Sequence, residues 1–270
     1  MKFSVNQKDL EESLGFCQNV IERRSTLPIL SNVLIEAKSG KLKITATDLD
    51  LIFVHYINNI DISEEGETTT NSTIMHDIVR KFSSGKKINI ESISESKIQI
   101  ETEKSVFKLN CLDAKEFPLS EDNIEEEEVL LNSQNFLKLL NKCKFSISND
   151  ETRHFLSGIF IHFTQNEEKN FLTAVSTDSH RMSISKMRLS QPIKFEPIIL
   201  PKKTIYQLCS LLESFNGDLK LYNSKSKIKF VLNNSILTSK VIDGKFPNYV
   251  QVIPKNNKKK TGSRFRLVPK

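Results

Sequence analysis

The chain contains little of several residue types, and each scarcity excludes a class of protein. Among its 270 residues there are no tryptophans, eight glycines and eight prolines. Collagen-like and low-complexity chains are rich in glycine and proline, so these counts exclude both classes. Seventeen phenylalanines and a hydrophobic fraction of 38% indicate a folded core of helices and strands instead.

Cysteine is also scarce, and the four cysteines lie far apart in the sequence. Cys17, Cys111, Cys143 and Cys209 form no Cys-x-x-Cys pair. Metal sites and disulfide frameworks usually show closer or paired cysteines. We therefore expect reduced cysteines within the core, no metal site and no cofactor.

Long apolar runs are missing as well. The first residues, Met1 to Asp9, contain no apolar segment of the kind found in signal peptides. No run approaches the roughly 20 residues with which a helix crosses a membrane. The sequence thus predicts a cytoplasmic protein with no membrane partner. Its net charge of +6 permits an acidic partner such as nucleic acid.

Apolar periodicity predicts the same order of elements in each half of the chain. That order is one strand, a helix, three strands, a second helix and three strands. The four predicted helices begin near Gln7, Ile74, Ser133 and Lys203. Ser133 is expected to cap the third helix, because a serine hydroxyl accepts hydrogen bonds from a first turn.

The second predicted helix spans 74–82 and follows a polar turn at 64–67. Ile74, Ile78 and Phe82 recur at four-residue spacing along it. Residues at this spacing share one helix face, so we expect these three side chains to form the buried face.

Sequence matches at nearly constant spacing indicate that the two halves are one unit repeated. The matched segments, first half before second, are Leu30-Ser-Asn-Val-Leu-Ile35 and Leu156-Ser-Gly-Ile-Phe-Ile161, Thr47-Asp48 and Thr177-Asp178, and Leu112-Asp-Ala-Lys-Glu-Phe-Pro118 and Ile242-Asp-Gly-Lys-Phe-Pro247. They predict one domain at 1–122 and a second at 129–254. The acidic stretch 123–128 is expected to link them, and a basic tail occupies 255–270.

The segment Thr177-Asp-Ser-His-Arg-Met182 is predicted to form a tight polar corner between two strands. Its aspartate, serine, histidine and arginine allow two interpretations, a catalytic group or a rigid corner shaped to receive another molecule. The sequence has no Gly-x-Ser-x-Gly, P-loop or His-x-x-x-His motif. Asp178 also has a repeat counterpart, Asp48, in a corner without the histidine and arginine. We therefore expect the aspartate to support the turn and the protein not to be an enzyme.

Several motifs in a fixed order extend across the chain. They are Met1-Lys-Phe3, Arg24 followed by Thr26-Leu-Pro-Ile-Leu30, Thr47-Asp48, Thr177-Asp-Ser-His-Arg181 and Asp243-Gly-Lys-Phe-Pro247 with Tyr249. With these motifs the chain resembles the bacterial sliding clamp, the DNA polymerase III beta subunit. The resemblance implies an α+β DNA-clamp fold of two repeated domains, each with two helices packed on antiparallel sheets. It also implies a non-catalytic processivity factor that encircles duplex DNA, independently of sequence, and tethers the replicative polymerase.

The same resemblance implies partners and raises an alternative. The partners are duplex DNA, DNA polymerase and clamp-loader peptides, and further copies in a ring. Clamps of this family have three such domains in each chain, whereas two are found here and the basic tail stands in place of the third. The alternative is therefore a truncated clamp fragment, or a two-domain interaction protein that binds clamp partners without closing a ring.

The resemblance and the helix positions together predict a DNA-binding surface. Its candidates are Arg24, Arg80, Lys138, Lys142, Asp150, His154, Phe155, Lys202 and Lys203. The two arginines follow from family motifs, whereas the lysines rest mainly on their places on polar helix faces or ends. A clamp requires weak phosphate contacts, which such cations supply. Lysines that only solubilise the surface, and a core position for Phe155, are the alternatives.

A pocket for partner peptides is implied around the 177–182 corner. Its candidates are Leu156, Thr177, Ser179, His180, Arg181, Met182, Pro247 and Val252. Extended peptides anchor a few side chains in pockets while neighbouring loop residues fix their orientation. In the family, part of the pocket wall comes from the third domain.

Overall fold

The computed structural model describes residues 1–22, 26–119 and 127–253. In the first half its helices and strands are β1 (Lys2–Asn6), α1 (Gln7–Cys17), β2 (Asn32–Lys38), β3 (Lys41–Thr47), β4 (Leu51–Asn58), β5 (Asp61–Glu64), β6 (Gly66–Asn71), α2 (Ser72–Val79), β7 (Lys87–Ser94), β8 (Lys97–Thr102) and β9 (Ser105–Leu112). In the second half they are β10 (Val129–Asn132), α3 (Ser133–Asn141), β11 (Gly158–Asn166), β12 (Lys169–Thr177), β13 (Met182–Leu189), β14 (Ile198–Pro201), α4 (Lys202–Ser214), β15 (Asp218–Asn223), β16 (Lys227–Leu232) and β17 (Ser235–Lys240). Most of the predicted linker and all of the predicted tail lie outside the described residues.

The strands form two antiparallel sheets. One sheet has the order β10-β15-β16-β17-β4-β3-β2-β6-β9-β8-β7-β1-β5, and the other has the order β13-β12-β11-β14. Helices α1 and α2 pack side by side, as do α3 and α4. Two repeated units, each with two helices on antiparallel strands, make this an α+β fold and confirm the predicted fold class.

An apolar stripe fixes α1 on the sheets. Leu10, Leu14 and Cys17 fall on one helix face and are fully buried, as predicted. Burial of a leucine side chain contributes about 1.5–3 kcal/mol. Among the described residues, no helix is long and apolar enough to cross a membrane.

Asparagines cap three of the four helices. The side-chain oxygens of Asn6, Asn71 and Asn132 each accept a hydrogen bond of 3.0 Å from an amide of the following first turn. Asn132 is therefore the cap of α3, and the prediction of Ser133 was wrong by one residue. Ser133 is buried, and its hydroxyl oxygen accepts a hydrogen bond from the amide of Gly217 at 3.2 Å.

The buried face of α2 also differs from the prediction. Ser72, Met75 and Val79 are buried, whereas Ile74 is 51% exposed. The helix begins at Ser72, whose hydroxyl accepts a hydrogen bond of 2.8 Å from the side chain of Gln18 beyond α1. Because this contact holds Ser72 next to α1, the helix face that carries Ser72, Met75 and Val79 is turned toward α1. The row of side chains that begins at Ile74 therefore lies on a different face of the helix.

That second stripe of α2 lies beside the edge of β9. Ile74 lines a groove together with Leu109 and Leu112. The ring centroid of Phe82 lies 5.9 Å from that of Phe107 in β9. The four-residue spacing of the isoleucines and Phe82 thus marks an apolar surface at a sheet edge, with Ile78 and Phe82 only partly buried.

Three strands were missed by the periodicity. β5 and β6 occupy the predicted polar turn at 64–67 and its flanks, and β14 precedes α4. Each half therefore has more than three strands between its helices, five in the first half and four in the second. The buried residues of β6 are the threonines 68–70, and Thr69 donates a hydrogen bond of 2.8 Å to the carbonyl of Leu112. Because the buried side chains are polar, no apolar alternation marked this strand.

A ladder between β4 and β17 joins the two halves. It runs from the pair Ser235 and His55 to the pair Ser239 and Leu51. The hydroxyl of Ser235 and Nδ1 of His55 share a hydrogen bond of 2.8 Å across it. Backbone and side-chain bonds together make the central sheet continuous from one half to the other.

The repeated Leu-Ser segment predicts one sharp effect on stability. A Cβ atom added at Gly158, at the start of β11, would lie 2.3 Å from the carbonyl oxygen of Leu200 in β14. Gly158→Ala should therefore lower the free energy of unfolding by about 1–3 kcal/mol, the usual cost of overpacking. Gly15→Ala is the control, since its new Cβ would meet its nearest neighbour at an ordinary 3.7 Å inside α1. It should raise stability by up to about 1 kcal/mol.

Urea unfolding of the wild type, Gly158→Ala and Gly15→Ala measures the free energy of unfolding of each protein. Equal stabilities for the two variants would contradict the close approach of β11 and β14.

Candidate nucleic-acid and partner-binding surfaces

Two corners of the same geometry lie in the two halves, one after β3 and one after β12. In each, the carboxylate of an aspartate, Asp48 or Asp178, accepts hydrogen bonds of 2.7–3.1 Å from the amides two and three residues later. The residue after each aspartate has a positive φ, 80° at Leu49 and 76° at Ser179. The prediction that the aspartate supports the turn in both halves is confirmed.

The surroundings of the two corners differ. Lys203 of α4 reaches across the junction and bonds the carboxylate of Asp48, and Lys240 of β17 pairs with Asp50 at 2.8 Å, so the first corner is tied to the second half by two ion pairs while Leu49 and Asp50 stay exposed. Within the described ranges, Asp178 forms its ion pair with Arg181 of its own corner, at 3.0 Å. Both His180 and Arg181 are exposed. The second corner is therefore the one whose charged side chains make no ion pair to the other half within the described residues.

Hydrogen bonds from the corner hold the pKa of Asp178 below its usual range. The amide of Arg181 is the largest cause, and the amide of His180 and the Arg181 guanidinium act in the same direction. The carboxylate thus stays ionised at neutral pH and orients Arg181. The guanidinium carbon of Arg181 lies 5.6 Å from the ring centroid of Phe145, within cation–π distance.

Arg153 connects the 149–155 loop to the same corner. Its guanidinium donates a hydrogen bond of 2.6 Å to the hydroxyl of Ser179 and pairs with Asp150 at 2.8 Å. Asp150 also accepts a 2.8 Å hydrogen bond from Nε of Arg153. The Arg153 guanidinium is therefore held by Asp150 and by Ser179 at the same time. Sequence reasoning missed Arg153 because its contact with Ser179 joins loops that are separate in the chain.

An apolar cluster lies below the corner. Leu156, Val175, Ile199 and Phe246 are buried together, with Met182 packed against them. The predicted segment around Pro247 thus reaches the corner through the neighbouring phenylalanine. The cluster forms an apolar floor beneath the corner.

Aromatic rings extend that floor. Phe160 stacks on Phe246 with centroids 5.0 Å apart and on His162 with centroids 4.7 Å apart. His162 shares a hydrogen bond of 3.1 Å with the hydroxyl of Tyr249. Burial lowers the pKa of His162, so its imidazole is neutral near pH 7. These four residues were not among the predicted pocket residues, although Phe246 and Tyr249 belong to the family motif that begins at Asp243.

The predicted pocket residues range from buried to exposed. Leu156 is buried, and Thr177 and Met182 are half-buried. The exposed members are Ser179, His180, Arg181, Pro247 and Val252. Val252 is 69% exposed and lies in the last described turn, Tyr249–Val252.

The predicted DNA-binding residues fall into separate groups. Lys138 and Lys142 are exposed near the end of α3 and line a cleft of about 290 Å³ against β13. Arg80 ends α2 and pairs with Asp77 at 3.3 Å. Lys202 begins α4 and donates a hydrogen bond to the side chain of Asn149. Arg24 lies outside the described residues.

The remaining candidates have structural contacts of their own. Nε2 of His154 lies 3.1 Å from the carbonyl oxygen of Asp243 and bonds with it. Phe155 is half-buried and packs against the apolar cluster below the corner. The ammonium of Lys203 bonds the carbonyl of Val20 at 2.8 Å in addition to Asp48. Assignment of all these residues to DNA stays a prediction.

The four cysteines are buried and unpaired, as predicted. Burial raises the pKa of Cys143 to about 12 and that of Cys209 to about 11, so both remain thiols at neutral pH. Within the described ranges, no three His, Cys, Asp or Glu side chains come together as metal ligands would.

The fold and the two corners define the class of the protein, a DNA-clamp protein built from repeated domains. Residues 1–121 match the N-terminal domain family of the DNA polymerase III beta subunit, and residues 130–248 match its central domain family. The chain is 34% identical to the Beta sliding clamp of Caulobacter vibrioides strain NA1000 over 262 residues, which cover 96% of this chain and 70% of that protein. It is 31% identical to the Beta sliding clamp of Escherichia coli K12 over 256 residues, which cover 95% and 69%.

Solved structures agree. The crystal structure of the Caulobacter crescentus beta sliding clamp superposes with a TM-score of 0.91 at 33% identity, over 95% of this chain and 69% of that one. The clamp of Bartonella birtlesii bound to griselimycin gives a TM-score of 0.90 at 36% identity, with the same coverage. The chain therefore belongs to the beta sliding clamp family of DNA replication proteins, and it spans about 70% of the length of these relatives.

The depressed pKa of Asp178 predicts a pH-dependent stability. A carboxylate with a lowered folded-state pKa contributes stability above its unfolded pKa of about 3.9, and this contribution is lost as pH falls through the folded value. Asp178→Asn removes the charge, so the variant should be less stable than the wild type at pH 7. The difference should shrink as the pH falls below about 4.

Thermal unfolding between pH 7 and pH 2.5 measures this difference, with Asp218→Asn as a control that removes one exposed carboxylate outside the corner. A gap between Asp178→Asn and the wild type that stays constant down to the lowest pH would exclude the role given to the Asp178 charge.

Proposed function

We propose that this chain works as a non-catalytic sliding clamp that surrounds duplex DNA and holds the replicative polymerase at the Asp178 corner. The observation that carries the proposal is the β4–β17 ladder, which joins one repeated unit to the next head to tail. A heterologous contact of this kind forms a ring when successive units close on themselves. As a replication factor of bacteria the protein acts in the cytoplasm, where the chromosome lies.

The repeat identifies the edges that would continue the ring. β9 is the last strand of its half, as β17 is, and β13 directly follows its Asp corner, as β4 does. Within the described residues, β13 pairs on one side only, and residues 105–110 of β9 pair only with β8. These two edges are therefore the counterparts of the strands that meet at the junction.

The β9 edge has the chemistry of an interface. Val106 is 54% exposed and Phe107 is 39% exposed on this strand, and Ile74 of α2 is exposed nearby. Apolar residues grouped at an unpaired strand edge favour the addition of another strand. This supports self-association through β9 with the β13-type edge of another clamp domain.

Contact with DNA is proposed for the exposed lysines of the helices. Lys138 lies on α3 and Lys142 directly follows the helix one turn later, and neither forms an ion pair with another described residue. Unpaired ammonium groups are free to neutralise phosphates, a contact that does not depend on base sequence. A mobile clamp requires contacts of this type.

Docking of a partner peptide is proposed at the second corner. Arg181 is oriented by Asp178 above an apolar floor formed by Leu156, Val175 and Phe246. One solved relative, the Caulobacter crescentus clamp, is described with polyethylene glycol bound to a proposed beta-motif tethering region, which is consistent with a tethering site on this fold. Apolar anchors in the floor and orientation by the loop match the way extended peptides bind.

The lysines of α3 predict a salt-dependent effect on DNA affinity. Lys138→Ala combined with Lys142→Ala should weaken binding to duplexes of any sequence and lower the slope of log affinity against log salt by about 1 per lysine. Fluorescence anisotropy with two unrelated duplexes at several salt concentrations provides the measurement.

The matched control replaces Lys97 and Lys169, which are exposed at the starts of β8 and β12. An equal change of slope in the control would show that any two lysines contribute, and would reject the α3 surface.

The corner predicts a separate effect on partner binding. His180→Ala combined with Arg181→Ala should reduce affinity for a fluorescent peptide with the carboxyl-terminal sequence of the replicative polymerase by about tenfold, because these residues orient the bound peptide. Asp50→Ala changes the first-half counterpart of His180 and should leave the affinity unchanged. Unchanged affinity in the double variant would remove the corner from the binding site.

A further inference from the structure

Two exposed aromatic side chains stand apart from every apolar cluster of the described residues. Phe145, in the short turn Lys144–Ser146, is 56% exposed, and Tyr206 on α4 is 48% exposed. Neither belongs to the core or to the cluster below the corner. Large rings left in water need a reason when they occur together.

Cations alternate with these rings. The ammonium of Lys144 lies 5.8 Å from the ring centroid of Tyr206, and the guanidinium carbon of Arg181 lies 5.6 Å from that of Phe145. Lys144 and Phe145 are adjacent in the chain, which places the two cation–ring contacts next to each other in one strip. We call this strip, made of Arg181, Phe145, Lys144 and Tyr206, the aromatic–basic strip.

A groove opens at the α4 end of the strip. It has a volume of about 660 Å³ and is lined by Tyr206 and Gln207, by Lys202 and Lys203, and by Asn19 of the first half. This volume lies within the range of sites that hold small organic groups. A flat ring in the groove would contact Tyr206 and lie close to two lysines.

The start of α4 adds a second source of positive potential. The helix begins at Lys202 and has 13 residues, so its dipole favours a negative group at that end, although the amide of Lys202 itself donates to the carbonyl of Ser157 at 3.1 Å. Pro201 before it provides no side-chain cap. The groove therefore combines a stacking surface with features that attract phosphate.

We infer that the aromatic–basic strip binds unpaired nucleotides, with bases stacked on Tyr206 and Phe145 and phosphates near Lys144 and the first turn of α4. Proteins that bind single strands combine a positive groove with aromatic platforms in this way. Duplex DNA keeps its bases stacked inside the helix, so rings add little to duplex binding. The inference rests on the proposed function, since it supposes that the clamp encloses duplex DNA. A single strand that leaves this duplex would then bind to the second half of the chain.

Substitution of the rings tests the inference. Tyr206→Leu combined with Phe145→Leu should weaken binding to oligothymidine of about ten nucleotides by at least fivefold, since stacking carries much of single-strand affinity. A primed junction with a single-stranded overhang should lose affinity to a similar extent. Blunt duplex should bind as it does to the wild type. Tyr206→Phe keeps the ring and should retain the affinity for oligothymidine.

Fluorescence anisotropy with the three DNAs separates the outcomes. An equal loss for blunt duplex would overturn stacking in favour of a general phosphate surface. Unchanged affinity for all three DNAs would also overturn it and leave the strip to a protein partner. As a second readout, ultraviolet cross-linking of oligothymidine should map to Phe145 or Tyr206, and cross-links found only elsewhere would contradict the site.

The same data distinguish this inference from the proposed function. Duplex binding that depends on Lys138 and Lys142, without any effect of the ring substitutions, would reject the strip and leave the clamp function intact. Oligothymidine binding through Tyr206 in a chain that does not bind duplex would support the strip and reject the proposed function.

Discussion

The antiparallel ladder between β4 and β17 is the contact on which the rest of the structure depends. Strand edges carry unpaired amides and carbonyls, and pairing them across the junction satisfies both halves at once. The ladder also brings α4 against the first corner, where Lys203 bonds Asp48. It therefore determines which corner is tied to the other half by ion pairs. The same Thr-Asp turn is bonded to the other half in the first repeat, whereas in the second repeat its aspartate pairs with an arginine of its own corner.

Much of the fold could be predicted because its signals are local. Short segments of sequence predict the stripe of α1 and the Thr-Asp corners. Because the chain is a repeat, a feature predicted in one half can be compared with its counterpart in the other half. The face of α2 could not be predicted, since Ile74 and Met75 are both apolar and only contact with α1 and β9 decides between them. β6 escaped detection because its buried side chains are threonines bonded to a strand that follows some 40 residues later.

The candidate site was predictable to a similar degree. The corner and the Phe246 motif could be found from sequence, whereas the stack of Phe160 on Phe246 depends on where β11 lies relative to a distant loop. Lys203 illustrates the same limit, because its partner Asp48 is in the other half of the chain. Side chains that act across the junction carry no local signal. Their roles follow only from the register of the strands that join the halves.

The central claim is that repeated units form a closed ring around DNA when each is linked to the next by a ladder like that between β4 and β17. Retention on nicked circular DNA tests it most directly. The chain is incubated with the circle and the clamp loader of the same organism, and the complex is separated from free protein by gel filtration before and after one cut by a restriction enzyme. The account predicts that protein stays with the circle and is released once the DNA is linear. Equal retention on circular and linear DNA, or no retention on either, would contradict it.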